Sequence, residues 1–312
     1  MIIRTTIGTM MTQLTKFTGS LLVAGLFTLP NLVQAQPTAH YAPGAEGIKA
    51  ATLPPPGVYL RDYNFFYYSD QYNDANGNKV AGANAKAFIY ANLPRVIWIT
   101  DLQVLGGNIG VDALLPLQYT DLRITTPGGP FKDHTFGIGD LFFEGTWSKH
   151  IQQFDFSLGA GAWAPTGDSS SQQPTTRAGL GYWGEMLTAG ATWYPDQAKR
   201  WALSVLNRYE FNQEKKDTDI TPGQAYTVEG GLSYGVSKTM DVGAIGYYQQ
   251  KVTEDSGSGA SGARDRVAAI GPEISAFFPS AMLGLSLRYA YEFMAENRLQ
   301  GNTVTLTITK RF

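Results

Sequence analysis

From Val58 to the end of the chain, apolar and polar residues alternate with a period of two. In the clearest stretch, residues 226–237, tyrosine, valine and leucine side chains occupy one face, and threonine, glutamate and serine occupy the other. The same alternation recurs in residues 109–118, 154–162, 283–293 and 303–309. A period of two is that of a β-strand, so the pattern predicts strands with one apolar and one polar face.

The segments between these strands alternate in length. Short turns are predicted near residues 105–108, 149–152, 195–200, 237–239 and 279–281, and longer polar loops near residues 70–84, 123–135, 166–181, 212–224, 253–265 and 296–301. Short turns at one end and long loops at the other are typical of outer-membrane barrels, and six long loops imply about 12 antiparallel strands.

A soluble β-sandwich would also alternate, so the position of the aromatic residues matters. Aromatic side chains flank the predicted short turns, namely Trp147, Phe154, Trp193, Tyr194, Trp201, Phe277 and Phe278. Aromatic rings prefer the membrane–water interface, which favours a girdle around the periplasmic end of a membrane barrel.

The first 35 residues have the composition of a secretory signal peptide. Arg4 and Lys16 are basic, residues 21–29 form a short apolar run, and residues 33–35 resemble a small-residue cleavage site before Gln36. No later segment has the roughly 20 apolar residues that a spanning helix needs. A membrane protein of this sequence must therefore be a closed barrel, because lipid offers no partner for open backbone groups.

These observations predict an all-β fold: a transmembrane, antiparallel, up-and-down β-barrel of about 12 strands. Residues 1–35 are expected to be the signal peptide, residues 36–56 a short Pro- and Ala-rich extension that is periplasmic or enters the lumen, and residues 57–312 the barrel. The chain ends at Phe312 after an amphipathic last strand, as expected for recognition by the barrel-insertion machinery, although Lys310 departs from that pattern.

Composition excludes several other classes of protein. The charged fraction is 16%, the formal net charge is −2 and there is no cysteine, while the mean hydropathy of −0.16 is too low for a helical membrane bundle. No basic patch predicts a nucleic-acid partner, and no disulfide or thiolate metal site can form. We expect no cofactor, no metal and no catalytic residue.

The three histidines do not form an obvious site. His40 lies in the extension, His134 in a predicted outer loop and His150 in a predicted periplasmic turn. The last two are expected at opposite ends of the barrel, so they cannot share a metal or form a catalytic pair.

Charged residues on the polar faces of the strands are predicted to line the lumen. They are Asp112, Asp140, Glu144, Asp155, Arg208, Glu210, Glu229, Asp241, Glu273, Arg288 and Glu292. Since both signs are present, most of these residues are expected to pair with one another and hold the barrel. An apolar solute would then need its own route.

Six aromatic residues are candidates for such a route at the mouth of the barrel, or equally for an outer girdle: Tyr67, Tyr68, Trp163, Trp183, Tyr247 and Tyr248. Gly271 and Pro272 indicate a bulge or weak strand pairing, which we interpret as a hypothetical lateral gate.

Several short motifs, in this order and spacing, resemble a known family. They fall at residues 55–59 (PPGVY), 165–168 (PTGD), 218–223 (TDITPG), 246–250 (GYYQQ), 254–257 (EDSG) and 271–273 (GPE). The resemblance is to outer-membrane proteins associated with the meta-cleavage pathway of phenol degradation, and it extends over the mature chain. It implies a barrel in the outer membrane of a Gram-negative bacterium that passes aromatic or other apolar compounds, and it implies no catalytic residues.

The first functional hypothesis is therefore an outer-membrane channel for passive uptake of small apolar compounds, aromatic ones among them. Its expected partners are outer-membrane lipid, lipopolysaccharide and the apolar solute. Two alternatives remain open: an outer-membrane barrel enzyme of the lipase or protease kind, and a structural barrel that conducts nothing.

Overall fold

The computed structural model describes residues 38–82, 84–126, 129–171 and 175–312. The predicted signal peptide, residues 1–35, lies outside the described residues. Within the described part of the chain, no helix is long and apolar enough to cross a membrane.

The described chain is built from β-strands, with one short 3-10 helix at Pro279–Ala281. The strands are β1 (Gly57–Tyr72), β2 (Asn84–Val104), β3 (Gly107–Leu114), β4 (Leu117–Thr126), β5 (Gly129–Ile138), β6 (Leu141–Ile151), β7 (Phe154–Ala164), β8 (Gly184–Trp193), β9 (Trp201–Asn212), β10 (Ala225–Gly235), β11 (Met240–Lys251), β12 (Arg266–Phe278), β13 (Leu283–Glu296) and β14 (Leu299–Arg311).

These segments form one closed antiparallel sheet. Strand β1 pairs with β14 on one side and with β2 on the other, which closes the barrel. The long strand β2 pairs with β3 along one half and with β4 along the other, so β3 and β4 are two halves of one crossing. Strands β6 and β5 are likewise the two halves of the next crossing, because they pair with β3 and β4 respectively. The 14 segments therefore make 12 crossings, and the predicted barrel is confirmed.

The break in both interrupted crossings lies at the same level. Leu115 and Pro116 separate β3 from β4, and Gly139 and Asp140 separate β5 from β6. The Gly139 amide donates to the Pro116 carbonyl at 2.8 Å, and a Cβ on Gly139 would lie 2.8 Å from Cβ of Pro116. Glycine is therefore required where the two breaks meet.

Most connections have the predicted lengths, but two of the predicted long loops are wrong. Residues 123–135 mostly belong to β4 and β5, and β13 is joined to β14 by Asn297 and Arg298 alone. The polar residues near 121–134 lie on strands that extend towards the outer end, where the outward face meets water. These residues are polar because they lie beyond the lipid, and not because they form a loop.

The outside of the barrel has the apolar surface that lipid requires. Large apolar side chains are exposed around the wall, including Val96, Trp98, Leu158, Leu187, Leu232 and Leu287. Since an apolar residue gains nothing from contact with water, these alternate side chains define the lipid-facing belt.

One polar cluster interrupts this belt on β1 and β2. The Asn92 side-chain amide donates to Asp62 at 2.7 Å, the Asn64 amide donates to Asp62 at 2.9 Å, and the Tyr90 hydroxyl donates to Asn64 at 2.8 Å. These mutual bonds lower the cost of placing polar groups on a lipid-facing surface.

The extension runs along the inside of the barrel. At the outer end the Thr38 hydroxyl bonds to Asp265 and accepts from Arg298 at 2.8 Å. Towards the other end, Lys49 pairs with Asp241 at 2.8 Å. Ala51 is fully buried. Of the two positions considered for the extension, the described residues occupy the lumen.

Two glycines let the extension approach the wall closely. Gly44 has φ +79°, which β-branched residues rarely adopt, and a Cβ there would lie 2.7 Å from Cδ1 of Tyr247. A Cβ on Gly47 would overlap the carboxylate of Glu273. The path of the extension therefore depends on residues without side chains at these positions.

We expect Gly44→Val to loosen the extension, because valine adds a left-handed backbone cost of about 1–2 kcal/mol to its contact with Tyr247. Hydrogen exchange followed by mass spectrometry should show faster exchange of the backbone amides of residues 38–53, by about five- to thirtyfold. Gly82 is the matched control, since it has φ +76° and a Cβ there would meet nothing within 4 Å. Equal exchange in the extension of the Gly44→Val and Gly82→Val variants would contradict this account.

Candidate functional site in the barrel lumen

The structure places the eleven charged residues selected from the sequence on the inner face of the wall. Ten of them are buried, and Asp241 is half-buried near the periplasmic end. Some pair with each other, as Arg288 does with Glu273 at 3.7 Å and Arg208 with Glu229 at 2.5 Å. Many of their remaining partners belong to the extension, and the sequence analysis does not predict these contacts.

Glu229 shows how the wall holds the extension. Its carboxylate accepts from the backbone amide of Gly44 at 2.9 Å, from that of Glu46 at 3.3 Å and from the Tyr41 hydroxyl. Glu273 accepts from the amide of Ile48 at 2.9 Å. Charged acceptors form stronger hydrogen bonds than neutral ones, so these carboxylates bind the extension through its backbone.

Glu46 anchors the middle of the extension in a group of arginines. Its carboxylate accepts from Arg61 at 3.2 Å, from Arg95 at 3.4 Å and from the Tyr63 hydroxyl at 2.7 Å. Burial would raise the pKa of Glu46, but the facing guanidinium groups outweigh it and lower the pKa to about 2. Glu46 is therefore ionised at neutral pH.

Arg95 also bonds to carboxylates of the barrel wall. Arg95 donates to both oxygens of Asp112 at 2.8 Å and to Glu144 at 3.0 Å. Together Glu46, Arg61, Arg95, Asp112 and Glu144 form a charged layer across the lumen. A cavity of only about 50 Å³ lies beside it, room for a water molecule or two but not for an aromatic ring.

A larger cavity, of about 220 Å³, lies on the outer side of this charged layer. Aromatic and aliphatic side chains form much of its wall: Tyr63, Phe65, Tyr67, Ile89, Leu93, Leu114, Phe142, Trp163, Leu180, Met186 and Tyr247. Small residues of the extension, Ala39, Ala42, Pro43 and Ala45, form another side. Charged side chains border the rest of the cavity, among them Glu46, Arg95, Asp140, Arg208, Glu292 and Arg298. The cavity thus combines the apolar wall that a small apolar ligand requires with polar groups at fixed positions.

The six candidate aromatic residues divide into two groups. Tyr67, Trp163 and Tyr247 are buried and line the cavity. Tyr68 and Trp183 are exposed on the outside at 51% and 42%, and Tyr248 is half-buried on the outward face of β11. The first three are thus available to a solute in the lumen, and the other three face outwards.

Sequence reasoning missed several cavity residues. Tyr63 and Phe65 lie on β1, which is aromatic on both faces, and that signal could have identified them. Phe142 and Met186 follow the inward alternation of β6 and β8. Nothing in the sequence indicates that the alanines of the extension would face them across the lumen.

One side of the cavity is closed by a loop and not by a strand. Strand β5 pairs with β4, and no other described strand pairs with its second edge. Residues 165–171 and 175–180, here together called the strap, lie along that edge. The Asp168 amide donates to the Ile138 carbonyl at 3.0 Å, and the Thr176 hydroxyl bonds to Asp133 at 2.7 Å. Ala178 and Leu180 of the strap line the cavity.

The pairing near Gly271 and Pro272 is also incomplete. The register of β12 with β13 shifts between Ala268 and Ala269, and neither Gly271 nor Pro272 has a partner in β13. Neither residue lines the cavity described above. The lateral gate hypothesised there remains a prediction.

The three histidines lie in different parts of the structure. His134 lies in β5 and not in a loop, so that part of the prediction is wrong. His150 lies at the end of β6 and pairs with Asp155 at 2.7 Å. His40 is buried beside the cavity.

Two carboxylates and two aromatic rings surround His40. Its Nδ1 lies 2.7 Å from Glu210 and its Nε2 lies 3.4 Å from Asp140. The ring stacks on Trp163 at 5.5 Å and meets Tyr182 edge-on at 4.5 Å. Burial lowers the pKa of His40, but Glu210 and Asp140 outweigh burial and raise the pKa to about 9.

His40 should make the docking of the extension depend on pH. Because its pKa is raised from 6.5 to about 9 in the docked state, the stabilisation of about 3 kcal/mol is complete below pH 6.5 and is lost as pH rises through 9. Ion conductance through the barrel in a planar bilayer should therefore increase between pH 8 and pH 10. The variant His40→Gln should conduct more at pH 7 and lack this step. An equal rise in conductance between pH 8 and pH 10 in the His40→Gln variant would show that another group causes it.

The family and fold are shown by comparison with known proteins. A family model described as "Putative MetA-pathway of phenol degradation" matches residues 69–308. The structure is similar to an outer membrane channel from Pseudomonas putida F1, with TM-score 0.74 and 17% identity over 87% of this chain and 100% of that one. It is also similar to the β domain of the Bordetella autotransporter BrkA (TM-score 0.49, 12% identity, 83% and 100% covered).

A third similar structure is the CymD monoaromatic hydrocarbon channel (TM-score 0.40, 13% identity, 83% and 89% covered). No protein of curated function matches the chain. The barrel, with its lipid-facing belt, has the fold of the outer membrane channel from Pseudomonas putida F1. The chain belongs to the family described as the MetA pathway of phenol degradation.

Proposed function

We propose that the protein is a passive outer-membrane channel for small apolar solutes, including single-ring aromatic compounds. The observation that carries this proposal is the apolar, aromatic-lined cavity of about 220 Å³ inside the barrel. For comparison, an engineered apolar cavity of about 150 Å³ in another protein takes up benzene. The family match and the fold of the channel from Pseudomonas putida F1 support the same function.

The route into the cavity passes the free edge of β5. The charged layer around Glu46 and Arg95 lies between the cavity and the periplasm, and an apolar solute can cross it only after the extension moves, because passage along dry charged groups is costly. The strap instead separates the cavity from the outside by a few hydrogen bonds. A solute that has dissolved in the outer leaflet would enter there when the strap moves, and would leave towards the periplasm when the extension moves.

In this proposal the barrel is a conduit and not an enzyme. A barrel hydrolase needs a nucleophile activated by a neighbouring base. Among the described residues, no serine or threonine hydroxyl is hydrogen-bonded to the ring of His40, His134 or His150. Within the same residues no group of three or more His, Asp or Glu could hold a metal. Hydrolysis of an ester or peptide substrate that is lost in a His134→Ala variant would overturn this part of the proposal.

The test is uptake of labelled toluene or phenol by porin-poor cells that carry or lack the protein in their outer membrane. We expect faster, non-saturating uptake that energy poisons do not change. Ala178→Trp should remove most of this increase, because the indole would fill the cavity from the strap.

The matched control is Ala81→Trp, at an exposed position in the connection between β1 and β2. It should leave uptake unchanged. If cells with a folded wild-type barrel take up neither compound faster than cells without it, the proposed substrate class is wrong.

A further inference from the structure

Three basic side chains form a row on the outward face of the barrel near its outer end. Lys86 of β2 is paired with Arg123 of β4, and Arg123 is paired with Lys132 of β5. All three are exposed, the Arg123 side chain at 57%. Directly paired residues on one face of a sheet lie about 5 Å apart between Cβ atoms, so the three charges are neighbours.

The row lies at the level of the lipid headgroups. On the outward face of β2, Trp98 and Phe88 are ten residues apart and both are exposed. With a rise of roughly 3.3 Å per residue and a tilt of about 40°, they are separated by about 25 Å along the membrane normal, the height of the apolar belt of such barrels. Lys86 is the next outward residue beyond Phe88, so the row lies just outside the apolar belt.

The charge of the row is only partly neutralised by the protein. Asp121 bonds to Arg123 at 2.6 and 3.0 Å, and Asp70 is placed beside Lys86, one step beyond the pair of Ser69 and Ala87. Like charges placed side by side on a sheet are destabilising, so an anion bound between them would lower the repulsion that remains.

An apolar surface continues from the row towards the membrane interior. Phe88, Phe136 and Ile138 are exposed on the same outward face, Phe136 at 65%. Phosphate groups at one end and acyl chains at the other would match this combination of a basic row and an apolar strip. Basic clusters beside a membrane bind anionic headgroups in this way.

We propose that Lys86, Arg123 and Lys132 bind the phosphate groups of a phosphorylated glycolipid of the outer leaflet, whose acyl chains lie along Phe88, Phe136 and Ile138. The site is on the outer surface and shares no residue with the lining of the cavity in the lumen. A lipid bound there spans β2, β4 and β5, and so braces the outer hairpin whose second edge is covered only by the strap.

The test measures binding of diphosphorylated lipid A to the purified barrel in non-ionic detergent, with dephosphorylated lipid A and inorganic phosphate as the other probes. Wild-type protein should bind the diphosphorylated lipid most tightly. The triple variant Lys86→Gln, Arg123→Gln, Lys132→Gln should bind it about ten- to a hundredfold more weakly. The matched control Lys199→Gln, Lys238→Gln, Arg264→Gln removes the same charges from other exposed positions and should bind as wild type does.

Folding of each variant is checked by the mobility of the unheated barrel in a denaturing gel. If the triple variant does not fold, Lys86→Gln and Lys132→Gln are tested singly, since neither residue is bonded to Asp121. Three results would overturn the proposal: equal binding of phosphorylated and dephosphorylated lipid A, wild-type affinity in the variants of the row, or inorganic phosphate bound as tightly as the lipid.

Discussion

The backbone of a membrane-spanning sheet cannot leave an unpaired edge in lipid, and the architecture of this protein depends on that constraint. Closure of β1 against both β14 and β2 satisfies it around the wall. Among the described strands, the second edge of β5 has no strand partner, and the strap lies there instead. A wall closed by a few loop hydrogen bonds opens more readily than one closed by a continuous ladder, which is why the candidate route for solutes lies there.

Closure of the barrel also buries charged side chains in the lumen, and these need partners there. The inward carboxylates and guanidinium groups are buried, and a buried charge needs a partner. The extension supplies many of them through its backbone, as at Glu229 and Glu273, and through the side chains of His40, Glu46 and Lys49. The same interactions that hold the extension therefore also close the lumen to ions and water.

The cavity is a consequence of how the extension fills this interior. Where the extension has charged side chains, it completes the layer around Arg95 and leaves little space. Where it has Ala39, Ala42 and Ala45, its short side chains do not fill the space in front of the aromatic wall, and an apolar cavity remains. The lumen is thus divided into an outer apolar part and a charged layer below it, and the extension borders both.

The sequence by itself determined the barrel, its roughly 12 crossings and the inward face of most strands, because a period of two and the lipid boundary act locally on each strand. The prediction of a loop at residues 123–135 was wrong, because strand residues that lie beyond the lipid are as polar as those of a loop. The sequence also left open which aromatic residues face the lumen. Tyr67 and Tyr68 are neighbours in sequence and face opposite sides of the wall. Only the tertiary structure decided the path of the extension, the partners of Glu229 and Glu46, the free edge of β5 and the cavity. Each of these depends on contacts between residues that are distant in sequence, and no local pattern of polarity encodes which distant group a buried charge will meet.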